Sequence, residues 1–277
     1  MTTQASSARM LWLAAGSLLA FAFTIWAGFG LAGHSVGSVT RDEHHVVGNV
    51  SEVKIDGRSA DVTLVPADGD QVVVDARAKG TLWLPKLKTE VDGGHLTLRG
   101  SCHDTPFGHC ESRFVVSVPD GTPVIVQTRS GDVRASDLSG HLTIDAGSGD
   151  VALANLSGGT TARVSSGDIE ASRLAGKLVL ETSSGDVDAA ELTGPTIDAR
   201  ATSGDVFLDV ATVPKRVNVA SSSGDVTISV PRNGREGYDA QAATSSGDPR
   251  VRVTQNSESS HSVSAVTSSG DATISYR

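Results

Sequence analysis

One tripeptide with chemical potential recurs through the second half of the chain. Ser-Gly-Asp returns eight times, at Gly131-Asp132, Gly149-Asp150, Gly167-Asp168, Gly185-Asp186, Gly204-Asp205, Gly224-Asp225, Gly247-Asp248 and Gly270-Asp271, with successive aspartates 18, 18, 18, 19, 20, 23 and 23 residues apart. A carboxylate repeating beside glycine invites calcium, because glycine-rich nonapeptide repeats gather carboxylates and carbonyls around that ion. Such sites need further glycines in each turn, and Ser-Gly-Asp supplies one. The reading adopted is a structural turn, in which Gly takes positive φ while Ser and Asp bond the turn's own backbone. It requires no metal and no cofactor.

Two other constellations bear on chemistry. Cys102 and Cys110 bracket a short loop that also holds His103 and His109. In an exported protein the pair reads as a disulfide pinning the loop; the alternative is zinc, although adjacent Cys-His pairs close poorly around a tetrahedral ion. None of the 8 histidines recurs within the repeat, and no Gly-x-Ser-x-Gly elbow occurs. Polysaccharide-cutting β-helix enzymes are the catalytic alternative, but they need a converging cluster of carboxylates and cations that the spacing does not reveal. The expectation is therefore no enzyme.

The elements that position these residues follow from the same period. Val133, Val151 and Ile169 follow the aspartates directly, and Ala135, Leu153 and Ala171 lie two further on, which is strand alternation. Leu138, Leu156 and Leu174 then precede Ser139-Gly140, Ser157-Gly158 and Ala175-Gly176. Each unit thus reads strand, turn, strand, turn, in coils of about 18 residues stacked in parallel at about 4.8 Å. The predicted fold is an all-β, parallel β-solenoid (β-helix-like) ectodomain. Its inward positions form aliphatic columns, in keeping with only 4% aromatic residues.

The organisation predicted along the chain begins with a cytoplasmic tail (1–9), a transmembrane helix (10–32) and a linker (33–45). A β-rich part (46–128) then caps a repeat solenoid (129–277). The uncharged run Met10 to Ala32 is long enough to cross a bilayer, with Trp12 and Trp26 toward its ends and Arg9 holding the N-terminus in the cytoplasm. The alternative is secretion after cleavage near Gly30-Leu31-Ala32. Beyond this segment stand 22 basic and 32 acidic residues, a balance that argues against nucleic acid and anionic lipid as partners. Strands are expected at Val50–Ile55, Ala60–Val65, Gln71–Ala78, His95–Arg99 and Arg113–Val118, with Ser59-Ala60-Asp61-Val62 a degenerate copy of the repeat turn. After Asp205 the period loosens around Val213-Pro214 and Pro231 to Glu236, and the last unit, ending at Tyr276-Arg277, is expected to leave an open sheet edge.

This order of apolar segment, strand-rich lead-in, Val116-Ser117-Val118-Pro119 strand end and serial Ser-Gly-Asp-Val turns resembles the bacterial putative-adhesin family of Ser-Gly-Asp β-strand repeats. That family is a domain of unknown function (family 4097), and the likeness covers roughly residues 46–277. The resemblance implies an extracytoplasmic, often membrane-tethered β-solenoid with adhesive or envelope-stress roles, and it supplies no catalytic residues. The expected function is a non-catalytic adhesin-like or envelope-associated module. Its expected partners are the cytoplasmic membrane, through residues 10–32, and a cell-wall polymer or envelope protein. The alternative is a sensory or scaffolding ectodomain that recruits a protein through its C-terminal sheet edge.

Overall fold

The computed structural model describes residues 39–80, 86–101 and 110–277. The expected membrane helix at 10–32 and Cys102 lie outside these residues; among the described residues no helix is long and apolar enough to cross a membrane. All regular elements described are strands. The lead-in holds β1 (Val39–Val47), β2 (Glu52–Pro66), β3 (Val72–Gly80), β4 (Lys86–Asp92), β5 (His95–Ser101), β6 (Cys110–Val118) and β7 (Val124–Ser130). The regular coils hold β8 (Val133–Ser136), β9 (Leu142–Ser148), β10 (Val151–Leu156), β11 (Thr160–Ser166), β12 (Ile169–Leu174) and β13 (Lys177–Ser184), then β14 (Val187–Leu192), β15 (Thr196–Ser203), β16 (Val206–Val210), β17 (Arg216–Ser223) and β18 (Val226–Val230). The last coils are β19 (Asp239–Ser246) with β20 (Pro249–Arg252), and β21 (Ser262–Ser269) with β22 (Ala272–Tyr276).

Each regular coil contributes one strand to each of two sheets. Strands that follow an aspartate, β8 through β18 in even steps, stack in parallel as a front sheet. Strands that lead into Ser-Gly-Asp, β7 through β17 in odd steps, stack likewise as a back sheet. Alternation sends every second side chain between the sheets. The expected column Val133, Val151, Ile169, Val187, Val206, Val226 is in register and buried, and Val62 precedes it.

One buried polar residue interrupts the core. Thr160 lies in register between Leu142 and Leu178, is fully buried, and its Oγ1 has no hydrogen-bond partner among the described residues. A hydroxyl buried without a partner costs about 1–3 kcal/mol. Thr160→Val keeps the shape and removes that cost, so a gain of about 1 kcal/mol is expected in thermal or denaturant melts. A loss of stability would show that Thr160 is satisfied in solution.

Three expectations need correction. The span 33–45, read as a linker, carries from Val39 the strand β1, which pairs antiparallel with β3 through nine residues. Its sequence VTRDEHHVV buries no continuous apolar face, so the backbone edge of β3, and not hydrophobic patterning, recruits it. The separate strands expected at Val50–Ile55 and Ala60–Val65 are one fifteen-residue strand, β2, whose first half lies in the back sheet and second half in the front. Finally, the chain's last strand is not an open edge. β22 lies between β18 and β20, and β21 between β17 and β19, so the final coil in sequence is the penultimate coil in space. The other end is inverted in the same way: β2 sits between β5 and β7 in the back sheet and between β6 and β8 in the front. At the C-terminal end of the stack the strands paired on one side only are therefore β19 and β20.

Candidate functional site

The Ser-Gly-Asp turns align into one ridge along the rod. At each rung the glycine N–H donates to the serine carbonyl of the next coil, as from Gly131 to Ser148 at 3.0 Å, and Val133 N–H donates to the Asp150 carbonyl at 3.0 Å. The aspartate's own N–H finds its acceptor in a side chain. Asp150 N–H donates to Asp132 Oδ1 at 3.2 Å, Asp168 to Asp150 at 3.1 Å, Asp186 to Asp168 at 2.8 Å, and Asp205 and Asp225 each to the preceding aspartate at 2.7 Å. The ladder continues through Asp271 to Asp225 and Asp248 to Asp271, following the spatial order of the coils. Each carboxylate thus caps a backbone donor that the bent turn leaves without a carbonyl.

The ladder has one member the repeat count left out. Asp132 N–H donates to Asp61 Oδ1 at 3.2 Å, so the degenerate Ser59-Ala60-Asp61 copy occupies the same column. Arginines flank the column's ends: Arg113 lies by Asp61 and Arg134 by Asp132, while Arg250 holds Asp248 and Asp271 at 2.6 Å each. The backbone bond from Asp248 and the Arg250 guanidinium hold the Asp271 carboxyl below its ordinary value. A lowered folded pKa adds stability above the ordinary carboxylate range, and that contribution fades as pH falls through the lowered value. Among the described residues no group of three or more His, Cys, Asp or Glu side chains is placed to hold a metal.

A consequence separates the turn role from a calcium role. Asp168→Ala leaves Asp186 N–H to water and should cost about 1 kcal/mol, whereas Asp168→Asn keeps an oxygen acceptor and should be nearly neutral. Calcium should not move the melting temperature of the wild type. A calcium-dependent rise that Asp168→Asn abolishes would reverse the assignment.

A second row of turns carries a ladder that the sequence pattern did not announce. Asp137, Asn155, Arg173 and Glu191 all take φ between 54° and 59°, just before the buried Leu138, Leu156, Leu174 and Leu192. Their side chains join along the axis: Asn155 donates to Asp137 at 2.8 Å, Arg173 donates to Asn155, and Arg173 faces Glu191 at 3.8 Å. Asp137 and Asn155 are types that tolerate the left-handed region, but Arg173 and Glu191 are not, so no common residue type marks the row.

Between the two rows the front sheet's outer face forms a trough of about 430 Å³. Its floor is small, with Ser136, Ala152, Ala154 and Ser172, and Arg134, Glu170 and Asp188 stand along it. It spans the strands from β2 to β14, roughly 20 Å at the usual strand spacing. Phe207, in register with Asp188 on the neighbouring strand β16, is 41% exposed just beyond it. The back sheet bears a second trough, of about 640 Å³, where Arg163 and Arg200 both bind Glu181 at 2.8 and 3.2 Å beside Ser165, Ser183 and Thr202. The Ser-Gly-Asp ridge separates the two.

A serine, histidine and carboxylate do meet near the C-terminal loops, in an order unlike a catalytic triad. His261 Nδ1 lies 2.7 Å from the Pro214 carbonyl and its Nε2 3.7 Å from Glu236, while Ser259 and Ser260 donate to Glu236 at 3.5 and 3.2 Å. The hydroxyls face the carboxylate, so the group clasps the loop between β18 and β19 to the one between β20 and β21. Cys110, at the start of β6, is disulfide-bonded; Cys102, His103 and His109 lie outside the described residues.

Comparison with known proteins gives a family. The family model described as Toastrack DUF4097 matches residues 50–276. No curated protein matches the chain. Among solved structures, a putative adhesin from Bacteroides fragilis is similar at 14% identity and a TM-score of 0.49, covering 88% of this chain and 98% of its own. A putative adhesin from Parabacteroides distasonis shows 13% identity and a TM-score of 0.37 over 86% of this chain and 97% of its own. A putative lipid binding protein from the same species shows 12% identity and a TM-score of 0.34 over 86% and 97%.

Proposed function

This chain belongs to the Toastrack DUF4097 family, and we propose, from that premise, that it is a non-catalytic binding module displayed outside the cytoplasm. In this reading residues 10–32 anchor it in the cytoplasmic membrane with the N-terminus inside, and a Cys102–Cys110 disulfide pins the loop before β6. The repeat solenoid at 129–277 is the displayed rod, and its ligand is an extended, hydroxyl-rich polymer of the cell wall.

One observation carries this reading. The Ser-Gly-Asp ridge repeats its carboxylates at the coil spacing, and the front trough runs beside it with Arg134, Ser136, Glu170, Ser172 and Asp188 as polar groups, so an extended polymer laid along the axis meets a carboxylate at each rung and further donors and acceptors in the trough. Phe207 offers an apolar ring face at the trough's end, the kind of surface on which a sugar ring packs. Each contact is weak and their number supplies the affinity.

The test is retention of the full chain, in uncharged detergent, on glycan arrays and cell-wall sacculi. Phe207→Ala is expected to cut retention about tenfold, which is 1.4 kcal/mol, and to lower the melting temperature by no more than about 4 °C, because the ring stands on the outer face, 41% exposed and outside the buried core. Equal retention of variant and wild type, or no retention on any polymer, would remove the reading.

A further inference from the structure

We propose that the N-terminal end of the solenoid carries a phosphate-binding site formed by Arg77, Lys79 and Arg113. The antiparallel pairing of β3 with β6 sets Arg77 directly opposite Arg113, and Lys79 opposite Glu111. Like charges facing each other across a strand pair are unfavourable unless something sits between or beside them. Here each arginine leans outward to an acid. Arg77 Nε meets Asp42 of β1 at 2.7 Å, and Arg113 has only longer contacts, 3.5 Å to Asp61 of β2 and 3.4 Å to Glu111. Contacts at that length are at the limit of a hydrogen bond, so much of the Arg113 fork remains available. Lys79 makes no ion pair among the described residues.

Between these side chains lies a depression of about 310 Å³, lined by Arg77, Lys79, Arg113 and Glu111. A phosphate group matches it better than a carboxylate. Its tetrahedral oxygens take fork-like donation from two guanidiniums and a point charge from the ammonium at once, whereas a planar carboxylate engages one fork fully. Glu111 is 53% exposed and can turn to solvent as the anion enters. The site is a local exception to the acidic balance of the chain. The phosphate can be free or part of a lipid headgroup, and its site on β3 and β6 shares no lining residue with the polymer trough on β2 to β14.

The experiment uses the full chain in uncharged detergent and reads the melting temperature. Inorganic phosphate is compared with chloride at equal ionic strength, and short-chain phosphatidylglycerol with short-chain phosphatidylcholine. Saturating phosphate is expected to raise the midpoint by about 3 °C, with the rise lost in Lys79→Gln and Arg113→Gln. Lys79→Gln removes no ion pair, so it should melt like the wild type without phosphate and stands as the folded control. A rise with phosphatidylglycerol and none with free phosphate assigns the lipid headgroup. No rise with either, or an equal rise in both variants, overturns the proposal.

Discussion

Gly185→Ala should lower stability by about 3 kcal/mol or more, a large effect for a single added methyl group. Gly185 has φ of 139°, outside the region any L-residue occupies comfortably. A Cβ there would also lie 2.2 Å from the Gly167 carbonyl oxygen, 2.6 Å from its carbon and 2.8 Å from Asp168 Oδ1. The two nearest are backbone atoms that cannot yield, because coils stacked at strand spacing leave the ridge no room, and the third is a carboxylate oxygen held by the Asp186 N–H. The two penalties add, since relieving the φ strain would move the Asp186 N–H off its acceptor. At roughly 2–4 °C per kcal/mol, the midpoint should fall by about 6–12 °C. Gly69→Ala is the control: a Cβ there meets nothing within 4 Å, so it should be silent. A silent Gly185→Ala would mean the ridge is not stacked as described.

Removing residues 272–277 should disrupt the whole C-terminal end of the rod rather than one edge of it. β22 pairs with β18 on one side and β20 on the other, so its loss strips two strands of partners and uncovers the buried Ala272 and Ile274 column. Tyr276 is also lost. It packs under Arg232 at 4.5 Å, and its hydroxyl accepts from the Thr254 amide at 2.9 Å, which together with Arg232 lowers its pKa. Burial of the neighbouring Tyr238, whose hydroxyl donates to the Pro231 carbonyl, pushes that phenol up to about 12, so it is neutral and its bond is intact at ordinary pH. Limited proteolysis of the truncated protein should therefore cut within 231–271, with a midpoint lowered by well over 5 °C, given several kcal/mol of lost burial.

The strand that a partner would join is β19, rich in alanine, with Asp239 its one charge and no proline or lysine to blunt it. Asp239 N–H points to β21, so by alternation Ala242 N–H points outward, and Ala242→Pro should leave the midpoint within about 2 °C. If the truncated chain kept its protease resistance while Ala242→Pro unfolded the end, the spatial order of the last two coils would be the reverse of that described.

What was legible in the residues was the coil. A period near 18, strict alternation and a glycine in every Ser-Gly-Asp turn leave one way to bury Val133, Val151 and Ile169, because a slip by one residue would turn every column outward. The aspartates stand at the bends, but their carboxylates bond the backbone of the next coil and not, as the residues had suggested, that of their own turn. The row of turns at Asp137, Asn155, Arg173 and Glu191 was hidden because only its first two residues are types that tolerate left-handed backbone, so no repeated residue type announces it. The front trough and Phe207 were hidden as well, since a groove depends on which small side chains line up across five strands.

The order of coils at the two ends was decided only in three dimensions. Near-identical repeats pair almost equally well with any neighbour: Ser223-Gly224-Asp225 can accept the turn at 246–248 or the one at 269–271, and the alanines of β19 fit where the alanine and valine of β21 now lie. Local pattern is degenerate between these arrangements. What separates them is the packing of Tyr238 and Tyr276, the clasp at His261, and the burial gained by placing the more apolar β21 and β22 inside and the polar β20 outside. Those contacts join residues that share no period, so no reading of the repeat alone contains them.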